Sequence, residues 1–138
     1  MRPSATPAVR AIADGVGLFA ATACAVHCIA LPALLVVGAT IPTLLVEDEL
    51  FHQLMLWLVV PSAVVAFGLG CWRHKDRRVL LLGALGVTGL VLSGAVLHDL
   101  LGELAEKAVT LGSTGFVIAA HLRNFRLCRS ESCCHETT

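Results

Sequence analysis

Two thiols and one imidazole lie within five consecutive residues of a long apolar segment. Residues three and four apart on a helix share a face, so a helix here would present Cys24, His27 and Cys28 on one side. Pro32 has no N–H to donate to the carbonyl of Cys28, which loosens the helix at the second thiol. Sulfur and imidazole nitrogen suit soft and borderline metal ions. The segment therefore predicts a site for such an ion, with Hg, Zn, Cu and Fe as the candidates.

A second group of metal-binding residue types lies near the C-terminus, where three cysteines and a histidine occur within eight residues. Neighbouring arginines favour the thiolate, which is the form of cysteine that binds metals. A frayed tail without redox or metal chemistry is the alternative. We predict that this tail captures a metal ion through Cys128, Cys133, Cys134 and His135.

The composition is typical of an integral membrane protein. Of 138 residues, 57% are hydrophobic and 14% are charged, whereas soluble domains have about 25% charged residues. The net charge is zero, so nothing indicates a nucleic-acid partner. Four apolar blocks approach the roughly 20 residues that a membrane-spanning helix needs, and they cover 11–38, 50–72, 79–98 and 102–122. We therefore predict an all-α, four-helix membrane domain over residues 1–122, followed by the tail 123–138.

The distribution of charge predicts the orientation of these spans, because basic residues favour the cytoplasmic side. Basic residues precede span 1, fill the link between spans 2 and 3, and follow span 4, whereas the other two links are acidic. Both termini are therefore expected in the cytoplasm of a bacterium, with the protein in its inner membrane as a multi-pass protein. The basic residues of these three segments are Arg2, Arg10, Arg73, Lys75, Arg77, Arg78, Arg123, Arg126 and Arg129, and Lys107 is the single basic residue of the acidic links.

Further candidate ligands lie near the ends of the spans. Glu49 and His52 are three residues apart, so one helical face can present both at the outer surface, and His98 closes span 3 on the same side. His121 lies at the cytoplasmic exit of span 4. We expect a cation to be attracted by the outer acidic residues, to pass along the first span, and to leave through His121 to the tail. Asp14, near the start of span 1, is interpreted as a helix N-terminal carboxylate.

This layout resembles the MerC family of bacterial mercury-resistance membrane proteins. The resemblance covers nearly the whole chain, and it is carried by Cys24, Cys28 and Pro32 in span 1 and by the cysteines of the tail. It implies uptake of Hg(II) from the periplasm and transfer between thiol pairs towards a cytoplasmic acceptor or reductase, without enzymatic activity of its own. The three residues between the first two cysteines are similar to a broader group of MerC-domain proteins, whose cargo is not defined by the name.

Two other functions remain open at this point. Glu49, His52 and His27 could form a fixed zinc or iron site in the outer half, with His98 as a fourth ligand. Histidines on facing helices of a four-helix bundle can also hold haem, so a membrane haem or quinone redox protein is the alternative from a different class. The partners expected in every case are the lipid bilayer and the bound ion or cofactor, and association into a homo-oligomer is left open.

Overall fold

The structure, a computed structural model, describes residues 7–37, 48–74, 76–94, 100 and 102–135. Helices account for almost all of these residues, and the predicted all-α class is confirmed for this part of the chain. The four helices are α1 (Pro7–Val36), α2 (Asp48–His74), α3 (Arg77–Leu92) and α4 (Glu103–His135). Helix α4 continues past residue 122, so the predicted span 4 and much of the predicted tail form one helix.

Consecutive helices pack side by side in opposite directions. Cys28, late in α1, contacts His52, early in α2, whereas Gly17, early in α1, lies beside Ser62, later in α2. Helix α4 packs against both α1 and α3. We call the end where α1 finishes and α2 begins the α1–α2 end, and the opposite end the α2–α3 end. Residues near the two termini of the described chain therefore meet at the α2–α3 end.

The contact between α3 and α4 depends on a small residue at its closest point. A Cβ added at Gly86 would lie 2.6 Å from Cγ2 of Val117 and 2.8 Å from the carbonyl oxygen of Ser113. Nearer the α1–α2 end, the hydroxyls of Ser93 and Thr110 hydrogen-bond at 2.6 Å. Glycine lets helix backbones approach this closely, as it does between membrane helices.

We expect Gly86→Ala to lower the free energy of unfolding by about 1–3 kcal/mol, because backbone atoms of α4 cannot move away from the new methyl group without separating the helices. Gly112→Ala is the matched control, since an added Cβ there would meet nothing within 4 Å and alanine favours a helix over glycine by up to about 1 kcal/mol. Denaturation of the purified protein in detergent, followed by circular dichroism, would measure both. Equal stability of the two variants would contradict the close packing of α3 on α4.

The link between α2 and α3 is attached to α4 at the α2–α3 end. Asp76 accepts a hydrogen bond from the backbone N–H of Arg78 at 2.8 Å and so caps α3. It also accepts two hydrogen bonds from the guanidinium of Arg123, at 2.7 and 3.1 Å. The hydrogen bonds from the Arg123 guanidinium hold the pKa of the Asp76 carboxyl below its usual value, and the hydrogen bond from the N–H of Arg78 lowers it further by a smaller amount. This ion pair fixes the level of α4 relative to the link.

Two of the helices are long and apolar enough to cross a membrane, over residues Ala8–Leu34 and Leu50–Gly70. The described part of α3 has 16 helical residues, which is shorter than the roughly 20 that a span needs. For that reason, the prediction that the chain crosses the membrane four times remains an expectation. Large apolar side chains are exposed on the outward faces of the helices, among them Ile12, Phe19, Val26, Ile29, Leu54, Trp57, Leu81 and Leu85.

Candidate metal centre

The two cysteines of α1 lie on the helix face that packs against the rest of the protein. At 3.6 residues per turn, positions four apart are separated by only about 40° around the helix axis. Cys24 and Cys28 are each only 4% exposed, and both are thiols rather than members of a disulfide. The same face carries the buried Ala20 and Ala21 towards the α2–α3 end. Small side chains on this face let neighbouring helices come close to the two thiols.

The third member of the group comes from α2. The Nε2 atom of His52 lies 3.1 Å from the Sγ atom of Cys28, and His52 is buried. One ligand atom from each of Cys24, Cys28 and His52 can be chosen so that all three lie within 4.8 Å of one another. Two metal–sulfur bonds of about 2.3 Å, placed end to end, span about 4.6 Å. The spacing therefore suits an ion held between two thiolates, with an imidazole nitrogen completing the set.

A small cavity lies beside these ligands. Its volume is about 20 Å³, which is enough for one water molecule or a bare ion. Cys24 and His52 form part of its wall, and α4 contributes Glu106 and Thr110. The group thus has an adjoining space that a metal ion could occupy without displacing packed side chains.

His27 lies beside this group but outside it. Its ring stacks on that of Phe51, with centroids 4.0 Å apart, and meets the ring of His52 edge-on at 5.8 Å. On a helix, position 27 is rotated by about 100° from position 28, which turns the imidazole away from the core-facing thiols towards the flank of α2. His52 occupies the place that the sequence assigned to His27, and a role for His27 as a ligand stays a prediction.

A second polar cluster is buried nearer the α2–α3 end, where Asp14 of α1 binds two side chains of α4. The carboxylate lies 2.9 Å from Nδ1 of His121 and accepts a hydrogen bond from the amide of Asn124 at 2.8 Å. Asn124 also donates to the carbonyl of Ala66 in α2 at 3.3 Å. Helix α1 begins at Pro7, so Asp14 lies beyond its first turn, and the interpretation of Asp14 as a helix N-terminal carboxylate is wrong; the residue is buried, at 3% exposure. This carboxylate joins α1 to α4.

Two glycines make room for this cluster. An added Cβ at Gly17 would overlap the ring of His121, and one at Gly70 would overlap the amide of Asn124. The ring of His121 also packs on Phe67, with centroids 4.6 Å apart. Its Nε2 atom is buried and has no hydrogen-bond partner among the described residues. A metal-binding histidine is usually oriented by a carboxylate or carbonyl on the ring nitrogen that does not bind the metal, and Asp14 on Nδ1 of His121 is such a carboxylate.

A layer of apolar side chains separates the two clusters. It contains Ala20 and Ala21 of α1, Val59 of α2 and Val117 of α4, each no more than 1% exposed. These residues belong to the same core as Cys24 and Cys28. An ion held by the thiols is therefore shielded from His121 in this conformation.

The remaining predicted ligands lie apart from the thiol group or outside the described part of the chain. Cys128 is half-buried on α4 at the α2–α3 end, beside Arg10 and Asp14. His98 lies outside the described residues. The side chains of four others also lie outside them, namely Glu49, Cys133, Cys134 and His135.

Comparison with known proteins identifies the family of the chain. Residues 14–126 match the family described as MerC mercury resistance protein. No curated protein and no solved structure matches the chain significantly. The matched region contains Cys24, Cys28 and His52, as well as the Asp14–His121 pair, and it covers most of the sequence. The chain therefore belongs to the MerC mercury resistance family of membrane proteins.

Proposed function

We propose that this protein binds Hg(II) as its cargo between α1 and α2 and carries it across the bacterial inner membrane towards the cytoplasm. The observation that carries the proposal is the buried group of two thiols and an imidazole, within 4.8 Å of one another, in a chain of the mercury resistance family. Binding and transport, rather than catalysis, is the activity that this arrangement supports.

The proposed topology has four spans with both termini in the cytoplasm. It rests on the basic segments, which all fall on one side, and on the wide exposure of apolar side chains on the outward helix faces. In this topology the α1–α2 end faces the periplasm, and the α2–α3 end faces the cytoplasm. The thiols then lie in the outer half of the protein, and the Asp14–His121 pair lies in the inner half.

Binding to the two thiols would lower the free-energy cost of holding this ion inside the membrane. A divalent cation in hydrocarbon is very costly, and two thiolates neutralise its charge while replacing its water. A thiol must lose its proton on binding metal, and His52, at 3.1 Å from Cys28, is placed to accept that proton or to act as the third ligand. Transfer inward requires the apolar layer at Ala20 and Val117 to open, after which His121 and the cysteines of the tail receive the ion.

A second candidate function is binding without transport. It is favoured by the apolar layer, because fully buried side chains between the two clusters would keep zinc or iron in a fixed outer site. Haem binding has less support, since Nε2 of His52 contacts Cys28 and the ring of His121 packs against Gly17 and Phe67, so protein atoms occupy the space beside each ring.

Metal uptake into proteoliposomes distinguishes transport from binding. Vesicles containing the purified protein and an entrapped mercury-sensitive dye are expected to respond to external Hg(II) at least about tenfold faster than vesicles that carry the Cys24→Ser, Cys28→Ser variant. The uptake rate of the vesicles that carry this double variant measures passive entry of the ion. Stoichiometric Hg(II) binding with an uptake rate equal to that of the variant would contradict transport and would favour the fixed site.

A further inference from the structure

The α2–α3 end holds a second, larger cavity, apart from the thiol centre. It lies between the first turns of α1 and the later part of α4 and has a volume of about 330 Å³. Arg10, Asp14, Phe125, Cys128 and Arg129 line it, together with two alanines of α1. Asp14 already binds His121 and Asn124 through its two oxygens. The two guanidiniums are therefore the charged groups that remain for a ligand.

Arg10 is the unusual member of this wall. Arg10 is only 7% exposed, and its Nε atom is buried without a hydrogen-bond partner among the described residues. Arginine is rarely buried unless it is paired, and a buried donor without an acceptor is costly. Arg129, on the other side, is exposed and lies over the ring of Phe125, with its Cζ atom 5.5 Å from the ring centroid. The buried donor and the exposed guanidinium together favour an anion with several acceptor oxygens.

The depth of the cavity indicates where that anion comes from. Arg123 is joined to Asp76 in the link between α2 and α3, so position 123 of α4 lies level with that link. Phe125, Cys128 and Arg129 follow within two helical turns, which places the cavity at or just beyond this level. Next to it, α1 exposes Ile12 and Phe19, at 65% and 71%, on a surface that acyl chains can cover. A phosphate at this depth with hydrocarbon beside it is a feature of a phospholipid.

We propose that this cavity binds the phosphate group of an anionic phospholipid of the cytoplasmic leaflet, with Arg10 and Arg129 as its ligands. Basic pockets between helices on the cytoplasmic side of membrane proteins are suited to such headgroups, and guanidinium binds phosphate with two parallel hydrogen bonds. The depth of the cavity in the membrane follows from the proposed topology, so this proposal rests on the proposed function. The lipid would fix the start of α1 against α4, close to the Asp14–His121 pair.

The test measures thermal stability of the full chain in a neutral detergent, with added phosphatidylglycerol, phosphatidylcholine or inorganic phosphate. We expect phosphatidylglycerol to raise the melting temperature by about 5 °C and the other two additives to have little effect. Arg10→Gln should weaken the response to phosphatidylglycerol about tenfold or more in lipid concentration. Arg126→Gln is the matched control, since it removes the same charge from an exposed position of α4 and should leave the response unchanged.

A second variant keeps both arginines, in case Arg10→Gln does not fold. Ala11→Leu fills part of the cavity from α1 and should also abolish the response to phosphatidylglycerol. The proposal would be overturned if phosphatidylglycerol and phosphatidylcholine raised the melting temperature equally, or if Arg10→Gln and Arg126→Gln weakened the response equally. A rise in melting temperature with inorganic phosphate equal to that with phosphatidylglycerol would assign the site to a free anion instead. The result is independent of the metal site: a protein that responds to lipid but binds no Hg(II) would overturn only the proposed function.

Discussion

Replacement of both Cys24 and Cys28 by serine is expected to lower the affinity of the centre between α1 and α2 for Hg(II) by at least about 100-fold, when the other four cysteines are serine in both proteins. Loss of a residue that only orients a metal ligand typically weakens metal binding by about 10- to 100-fold, and this change removes both soft ligands of the group. Serine preserves the size and helical conformation of each residue, so the fold should be retained. The loss of the ultraviolet absorption of the mercury–thiolate bond, measured in a titration, provides the direct readout.

Two further variants show which histidine belongs to the centre. His52→Ala should weaken binding of Zn(II), which needs more than two ligands, by about tenfold or more, whereas His27→Ala should change it little, because His27 stacks on Phe51 rather than facing the thiols. A larger loss of Zn(II) affinity in His27→Ala than in His52→Ala would contradict the geometry described for the centre.

Asp14→Ala is expected to lower the free energy of unfolding by at least about 3 kcal/mol. The change removes the acceptor of both His121 and Asn124, which are 1% and 0% exposed, and leaves their donors buried. A single buried donor without its acceptor costs about 1–3 kcal/mol, and this change affects two donors. Denaturation in detergent at neutral pH, followed by circular dichroism, measures the difference. Thr22→Ala is the control, because its hydroxyl bonds only the carbonyl of Leu18 in its own helix.

The same cluster can be tested without removing any of its polar groups. Gly17→Ala should destabilise the protein by about 1–3 kcal/mol through overpacking, because the new methyl group would overlap the ring of His121, and that ring is held by Asp14. At Gly15, two residues earlier, an added Cβ would meet nothing within 4 Å, so Gly15→Ala should be neutral or stabilising. If both alanine variants were equally stable, the ring of His121 would not lie against α1 as described.

Sequence periodicity was sufficient to predict the helices and the common face of Cys24 and Cys28, because both depend on local geometry along one helix. It was not sufficient for His52. That residue was expected among the outer ligands, but its contact with Cys28 depends on how α1 is aligned with α2, and no local pattern determines this alignment. His27 shows the limit of the same reasoning, since residues on one broad face can still point to different neighbours.

The Asp14–His121 pair was missed for a related reason. The two residues are 107 positions apart, and a carboxylate near the start of a helix is ordinarily explained by the helix dipole. One signal was available. His121 and Asn124 share a face if α4 continues beyond the predicted span, as it does, and polar side chains that a helix turns towards its neighbours require a hydrogen-bond partner there.

The apolar layer formed by Ala20, Ala21, Val59 and Val117 has a consequence for the energy supply of the cell. A bacterium stores much of its usable energy as a proton gradient across its inner membrane, and any continuous file of water through a carrier would dissipate it. Buried methyl groups offer water no hydrogen bonds, so the layer interrupts such a file between the thiols and the carboxylate. In the proposed topology, the layer would therefore keep the protein from conducting protons across that membrane.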